Sequence, residues 1–212
     1  KDIEAAQRRL GDAIYRTPCP KSEHFTQMAG VSALFLKLES LQRTGSFKER
    51  GALNKMLLLS SEERERGVIA ASAGNHAQGV AYHAGRLGID ATLVMPERTP
   101  LIKITSTRAY GAKVILAGAS FDEAYRRALE VQKEENRVFV HPFDDPAVMA
   151  GQGTVALELL EQNPYIELVV VPVGGGGLIS GIACALKELN PRILVVGVQT
   201  KAIAAMKASR EA

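Results

Sequence analysis

From Gly67 onward the chain changes period: short β-branched runs alternate with amphipathic ones, and this alternation limits the fold more than any other feature. Residues 68–71, 91–95, 113–116 and 138–140 read as strands, and 75–87, 100–110 and 121–135 as the helices between them, with Gly88 and Gly111 closing the first two helices. Strands separated by helices imply a parallel sheet with right-handed crossovers. A second alternation follows: a helix at 147–161 stopped by Pro164, an apolar strand at 168–171, a helix at 178–189, a strand at 193–198 and a last helix at 201–209. Ahead of both lie a helix at 2–11, a break at Thr17-Pro18-Cys19-Pro20, a short helix ending at Ala29, a strand at 34–39 and a helix at 47–59. The expected fold class is α/β with two parallel-sheet, three-layer domains, a small one over 67–150 inserted into a larger one formed by 1–66 and 151–212.

With 46% hydrophobic and 23% charged residues over 212 positions, the chain can bury one sizeable core or two modest ones. Its longest apolar runs are of strand length, short of the roughly 18 residues of a membrane span, and the charged start Lys1-Asp2-Ile3-Glu4 is unlike a secretory signal. The net charge of +3 is scattered, without a basic stripe interleaved with aromatics, which argues against a nucleic-acid partner. Cys19 and Cys184 are far apart, with no C-x-x-C spacing and no His cluster, so neither a zinc site nor a disulfide framework is expected, and a reducing cytoplasm is the expected compartment.

Three junctions carry chemistry. Lys48 falls in the first turn of the helix at 47–59, where the helix dipole and partial burial both disfavour an ammonium; both effects lower the pKa and favour a nucleophilic neutral amine. Taken alone, it reads more readily as a solvated lysine beside Glu49 and Arg50. Gly174-Gly175-Gly176-Gly177 joins a strand to a helix, an arrangement that aims unpaired N–H groups and the positive end of a dipole at a phosphate. No G-x-G-x-x-G and no Walker lysine is present, so a phosphate monoester fits better than a dinucleotide or a nucleoside triphosphate. Ser72-Ala73-Gly74-Asn75-His76 is a second strand-to-helix loop, with Ser72 as a possible cap, Gly74 for an unusual backbone angle and Asn75 as an amide donor, which suits a carboxylate. His76 alone reads more readily as a packed or solvated residue than as a catalyst. Amine, carboxylate loop and phosphate cup together describe a site for pyridoxal phosphate and an amino acid.

Four motifs occur in order: Arg43-Thr44-Gly45-Ser46-Phe47-Lys48, Ser72-Ala73-Gly74-Asn75-His76-Ala77-Gln78-Gly79, Ala150-Gly151-Gln152-Gly153-Thr154 and Val171-Pro172-Val173-Gly174-Gly175-Gly176-Gly177-Leu178. With them the chain resembles the fold-type II pyridoxal-phosphate enzymes, most closely the threonine dehydratases (threonine ammonia-lyases), over about residues 14–200. The resemblance implies that Lys48 carries the cofactor covalently and acts as the catalytic base, with Phe47 packed near the cofactor ring. Asn75 would meet its 3′ oxygen, Gly174, Gly175, Gly176, Gly177 and Leu178 its phosphate, and Ser72, Gly74, Asn75 and His76 the substrate carboxylate. It also implies elimination of the β-hydroxyl from L-threonine or L-serine, a role in isoleucine biosynthesis or threonine catabolism, and a homo-oligomer, dimer or tetramer.

Members of the group run beyond this length, so the chain is expected to be part of a longer protein, with the pyridine-nitrogen partner outside it. Some relatives carry a cation-binding Glu where this chain has Gln199, a poorer ligand, so no metal is expected. The alternatives are a serine racemase, a β-replacing synthase and a non-catalytic amino-acid-binding paralogue. Similar serine racemases carry a serine at the position of Ala73, on the face opposite the lysine, and a methyl group cannot deliver a proton there.

Overall fold

The computed structural model describes residues 1–211. Strands β1 (Val68–Ala71), β2 (Ala91–Met95), β3 (Lys113–Leu116) and β4 (Val138–Phe139) form a parallel sheet in the order β3-β2-β1-β4. Helices α5 (Asn75–Leu87) and α6 (Leu101–Ala109) cross over one face and α7 (Phe121–Glu134) covers the other. The period of two decides the packing. Val68, Ala70, Leu93 and Met95 meet Val80, Ala84 and Ile104, while Ile69, Ala71 and Val94 meet Ala124, Ala128 and Val131.

The second alternation forms a two-stranded parallel sheet of β5 (Leu168–Pro172) and β6 (Leu194–Val198), linked by α9 (Gly177–Leu189). The apolar run at 168–171 suggests burial on both faces. Val171 is buried and Val169 half-buried on the helical side, whereas Leu168, Val170, Leu194 and Val196 are exposed, because no other described residue covers that face. The last segment divides into a 3₁₀ turn (Lys201–Ile203) and α10 (Ala205–Glu211) instead of one helix. Among the described residues no helix is long and apolar enough to cross a membrane.

Helices α3 (Lys48–Leu57) and α8 (Pro146–Gln162) lie between the two sheet units, with α1 (Asp2–Leu10) packed on both. Helix α3 serves more than one core: Ala52 and Met56 join the cluster under the four-stranded sheet, and Leu53 packs on Leu10 and Ile14. Its seating on α8 explains the motif at 150–154. A methyl group on Gly151 would stand 2.6 Å from the Arg50 carbonyl oxygen and 2.7 Å from Gly51 Cα, so two helix backbones meet there without side chains between them. Gly151→Ala is expected to cost about 1–3 kcal/mol of stability through overpacking, measured as a lower denaturant midpoint; an unchanged midpoint would mean that the helices separate freely.

Arg50, two residues after Lys48, anchors the same crossing. Its Nε and Nη2 donate to Glu39 at 2.7 and 2.8 Å, and its Nη1 and Nη2 donate to Glu158 at 2.6 and 2.9 Å. Lys37 adds a bond to Glu158 at 2.5 Å, so two cations and two carboxylates balance in a nearly dry volume.

The expected strand at 34–39 does not form. Residues 34–38 run alongside 18–22 with only one antiparallel bridge, Lys21 with Phe35. The facing segment holds Pro18 and Pro20, which accept from Leu38 at 3.1 Å and Leu36 at 3.0 Å but have no N–H to return, leaving Ser22 as the donor to Leu34. A 3₁₀ turn (Glu39–Leu41) follows, so Lys48 comes after turns rather than directly after a strand. Two short helices flank this region. The first, α2 (Glu23–Ala29), is capped by Ser22 and closed by left-handed Gly30; the second, α4 (Ser61–Arg66), went unread although Ser60 and Glu63 form a capping box.

Candidate functional site

Lys48 is the first residue of α3, its backbone N–H donating to Ser46 Oγ at 3.3 Å. Its ammonium donates to the Pro142 carbonyl at 2.6 Å and lies 5.4 Å from the centroid of the Phe47 ring. Burial pushes its pKa down to about 8. About half of the amine is then neutral at pH 8, against well under about one part in a hundred for an ordinary lysine. In cofactor-free protein, acylation of Lys48 is therefore expected to rise through a midpoint near pH 8. A midpoint shared with surface lysines, near the ordinary value of 10.5, would contradict this.

The glycine loop leaves β5 at Pro172 and enters α9 at Gly177. Its glycines differ in purpose. A methyl group on Gly174 would project into open space. One on Gly175 would run into the Phe143 ring, and one on Gly177 would stand 2.8 Å from the Phe143 carbonyl oxygen. Gly176 caps α9 at φ 91°, a backbone angle that favours glycine, with Met206 of α10 close above it. Two of the four glycines, Gly175 and Gly177, thus admit Phe143 against the loop. Gln199 closes the far side, its Nε2 donating to the Gly174 carbonyl at 3.4 Å and its Oε1 accepting from Lys207 N–H at 3.3 Å.

A cavity of about 380 Å³ lies between these elements, lined by Phe47, Lys48, the loop at 172–178, Val198 and Thr200. The structure thus brings together Phe47, Lys48, Gly174, Gly175, Gly176, Gly177 and Leu178. Thr200 was missed in the sequence; its position just past a parallel strand was the available signal. Another cavity, about 360 Å³, lies beside α1, Tyr15 and Arg43, but Arg50 there is held by Glu39 and Glu158, and Arg16 by Glu161.

The loop at 72–76 does not line the larger cavity. It sits at the carboxyl end of β1, beside the first turn of α3: a methyl group on Gly79 would stand 3.2 Å from Glu49 N and 3.4 Å from Lys48 C. Ser72 does not cap α5; its Oγ accepts from Gly74 N–H at 3.2 Å, and Gly74 is the capping residue. Gly74 has φ −133°, so no left-handed angle is needed there, and a methyl group on it would meet nothing within 4 Å. Asn75 is exposed. His76 is buried, with Nε2 2.9 Å from the Val140 carbonyl and Nδ1 without a partner among the described residues. Burial pushes its pKa down to about 3, with nearby Lys48 and His141 adding to the shift and the Val140 bond opposing it, so the ring is neutral at physiological pH and carries its proton on Nε2.

The chain as a whole is similar to known proteins. The family model described as pyridoxal-phosphate dependent enzyme matches residues 10–212. An L-threonine ammonia-lyase of Thermotoga maritima is 56% identical over 209 residues, covering 99% of this chain and 52% of that protein. The processed form of threonine deaminase isoform 2 from Solanum lycopersicum superposes with a TM-score of 0.93 at 44% identity, covering 99% of this chain and 60% of that one. Maize serine racemase superposes with a TM-score of 0.91 at 40% identity, covering 94% and 60%. The chain spans about half the length of the first two curated relatives it matches.

Proposed function

Since the chain belongs to the family of pyridoxal-phosphate dependent enzymes, we propose that it provides the lysine, the phosphate loop and the carboxylate loop of an L-threonine ammonia-lyase that also acts on L-serine. The observation that carries this reading is the Lys48 amine, brought to a pKa of about 8 by burial at the wall of a cavity that ends on a glycine-capped helix start.

The residues present fit the cofactor. The cavity is of ligand size, its one open glycine position is Gly174, and α9 aims its positive end at that place. In this reading Gly174 to Gly177 and Leu178 hold the phosphate, Phe47 packs beside the ring, and Asn75 meets the 3′ oxygen. Ser72, Gly74, Asn75 and His76 take the substrate carboxylate, with neutral His76 acting through the backbone it fixes at Val140. When bound, pyridoxal phosphate supplies a sink for the electron pair left at the substrate Cα. Lys48 Nζ, displaced from its attachment by the substrate amine, would take the Cα proton; with that hydrogen the β-hydroxyl leaves as water, and water then hydrolyses the released enamine to ammonia with 2-oxobutyrate from threonine or pyruvate from serine.

The unit at 67–150 is taken as a small domain inserted between 1–66 and 151–212, with α3 contributing to cores on both sides. The same reading includes a cytoplasmic homo-oligomer serving isoleucine biosynthesis or threonine catabolism. A racemase reading is favoured by the maize structure, but the partly buried methyl of Ala73 gives no proton donor opposite Lys48. Full-length protein given L-threonine and L-serine should release 2-oxobutyrate and pyruvate, with D-serine forming at least about tenfold more slowly than pyruvate. D-serine forming as fast as pyruvate would overturn the assignment.

A further inference from the structure

The segment between β4 and α8 touches His76, Lys48 and the glycine loop. Val140 accepts from His76 and donates to Ile69 at 2.9 Å, the Pro142 carbonyl holds the Lys48 amine, and the Phe143 ring fills the space that the missing side chain of Gly175 leaves. At its end Asp145 caps α8, accepting from Ala147 N–H at 2.8 Å, and pairs with Lys55 of α3 at 2.7 Å. Both ends are therefore anchored, while the turn between them depends on one side chain. His141 Nδ1 accepts from Asp144 N–H at 2.7 Å and from Phe143 N–H at 3.3 Å. Its ring packs edge-on against Phe143, with centroids 4.7 Å apart.

We propose that His141 is a positioning residue of the site: its unprotonated Nδ1 holds the turn that sets the Pro142 carbonyl on the Lys48 amine and the Phe143 ring under the glycine loop. The inference rests on the cofactor-binding reading above. An imidazole that accepts two N–H bonds at Nδ1 carries its proton on Nε2, and a second proton on Nδ1 would face both donors and open the turn. The titratable and charged groups around it are Asp144 and Asp145, which favour that proton, and Lys48 of α3, which opposes it. Tyr125 of α7 lies 6.1 Å away by ring centroids, and His76 of α5 is close enough to feel its charge. Burial is the largest influence and pushes the pKa of His141 below its ordinary value, so the turn stays closed through neutral pH.

The test compares full-length wild-type protein with His141→Asn, whose Oδ1 can accept from the same two N–H groups, and His141→Leu, which has no acceptor. Two readouts are taken without turnover. One is hydrogen exchange of the Phe143 and Asp144 amides in cofactor-free protein. The other is affinity for 4-deoxypyridoxine 5′-phosphate, which has no aldehyde and so cannot bond to Lys48. The leucine variant is expected to exchange those amides about tenfold faster and to bind the probe about tenfold more weakly, the worth of one or two hydrogen bonds, while the asparagine variant stays within about twofold of wild type. Wild-type protection should also fall as pH drops through the titration of His141, a step absent from the asparagine variant. Wild-type exchange and affinity in the leucine variant would overturn the proposal, as would an identical pH step in the asparagine variant. Should the leucine variant not fold, the asparagine comparison and the wild-type pH profile decide. Failure of wild-type protein to bind the probe would instead overturn the cofactor reading, with the exchange data still deciding the turn.

Discussion

Lys48→Ala is expected to lower kcat for L-threonine by about 10²–10⁴-fold from loss of the base alone, and further because no covalent attachment point remains. The fold should survive. The side chain contributes one hydrogen bond, to the Pro142 carbonyl, and burial disfavours its charge, so removing it relieves a cost below pH 8. The melting temperature of the cofactor-free variant should accordingly be unchanged or higher at pH 7, and the gap should narrow as pH rises from 8 past 10.5, above which the wild-type amine is neutral in both folded and unfolded chains. A variant with kcat within tenfold of wild type would remove Lys48 from the chemistry.

Gly174→Asp should weaken cofactor affinity by about 10²–10³-fold. Gly174 lines the cavity, and a side chain on it would meet open space, so a carboxylate can be placed at the loop without disturbing its packing. Two like charges about 4 Å apart repel by roughly 1 kcal/mol in water and about 4 kcal/mol at an effective dielectric of 20, and the phosphate carries nearly two charges. Gly175→Asp is a poorer test, since its Cβ would first displace Phe143. Equilibrium dialysis with pyridoxal phosphate, alongside circular dichroism to check the fold, measures the effect. Unchanged affinity with an intact fold would place the phosphate elsewhere.

Much of the fold can be read from local pattern. The β-branched runs at 68–71, 91–95 and 113–116 and the left-handed glycines at 30 and 88 declare their structure within a few residues, and the strands and caps fall where that pattern puts them. What escaped depends on partners distant in sequence. Residues 34–39 have strand composition, but the segment that pairs with them begins Pro18-Cys19-Pro20 and cannot complete a ladder. Gly151 and Gly153 belong to a motif of the resemblance, and they are small because α3 presses on the first and α1 and α9 on the second. Lys48 and the glycine loop stand out in the sequence because an amine at a helix start and an anion cup are chemically distinctive, whereas Phe47 follows only from the resemblance and is found beside them on the cavity wall. The turn at 141–144 was not, since a histidine that accepts backbone N–H groups looks in sequence like any other histidine.

The most direct measurement is borohydride reduction of the protein loaded with pyridoxal phosphate, followed by peptide mapping. A single pyridoxyl phosphate on Lys48, absent after Lys48→Ala, is the predicted result. A label on Lys37, on Lys55 or on no lysine would contradict the central claim.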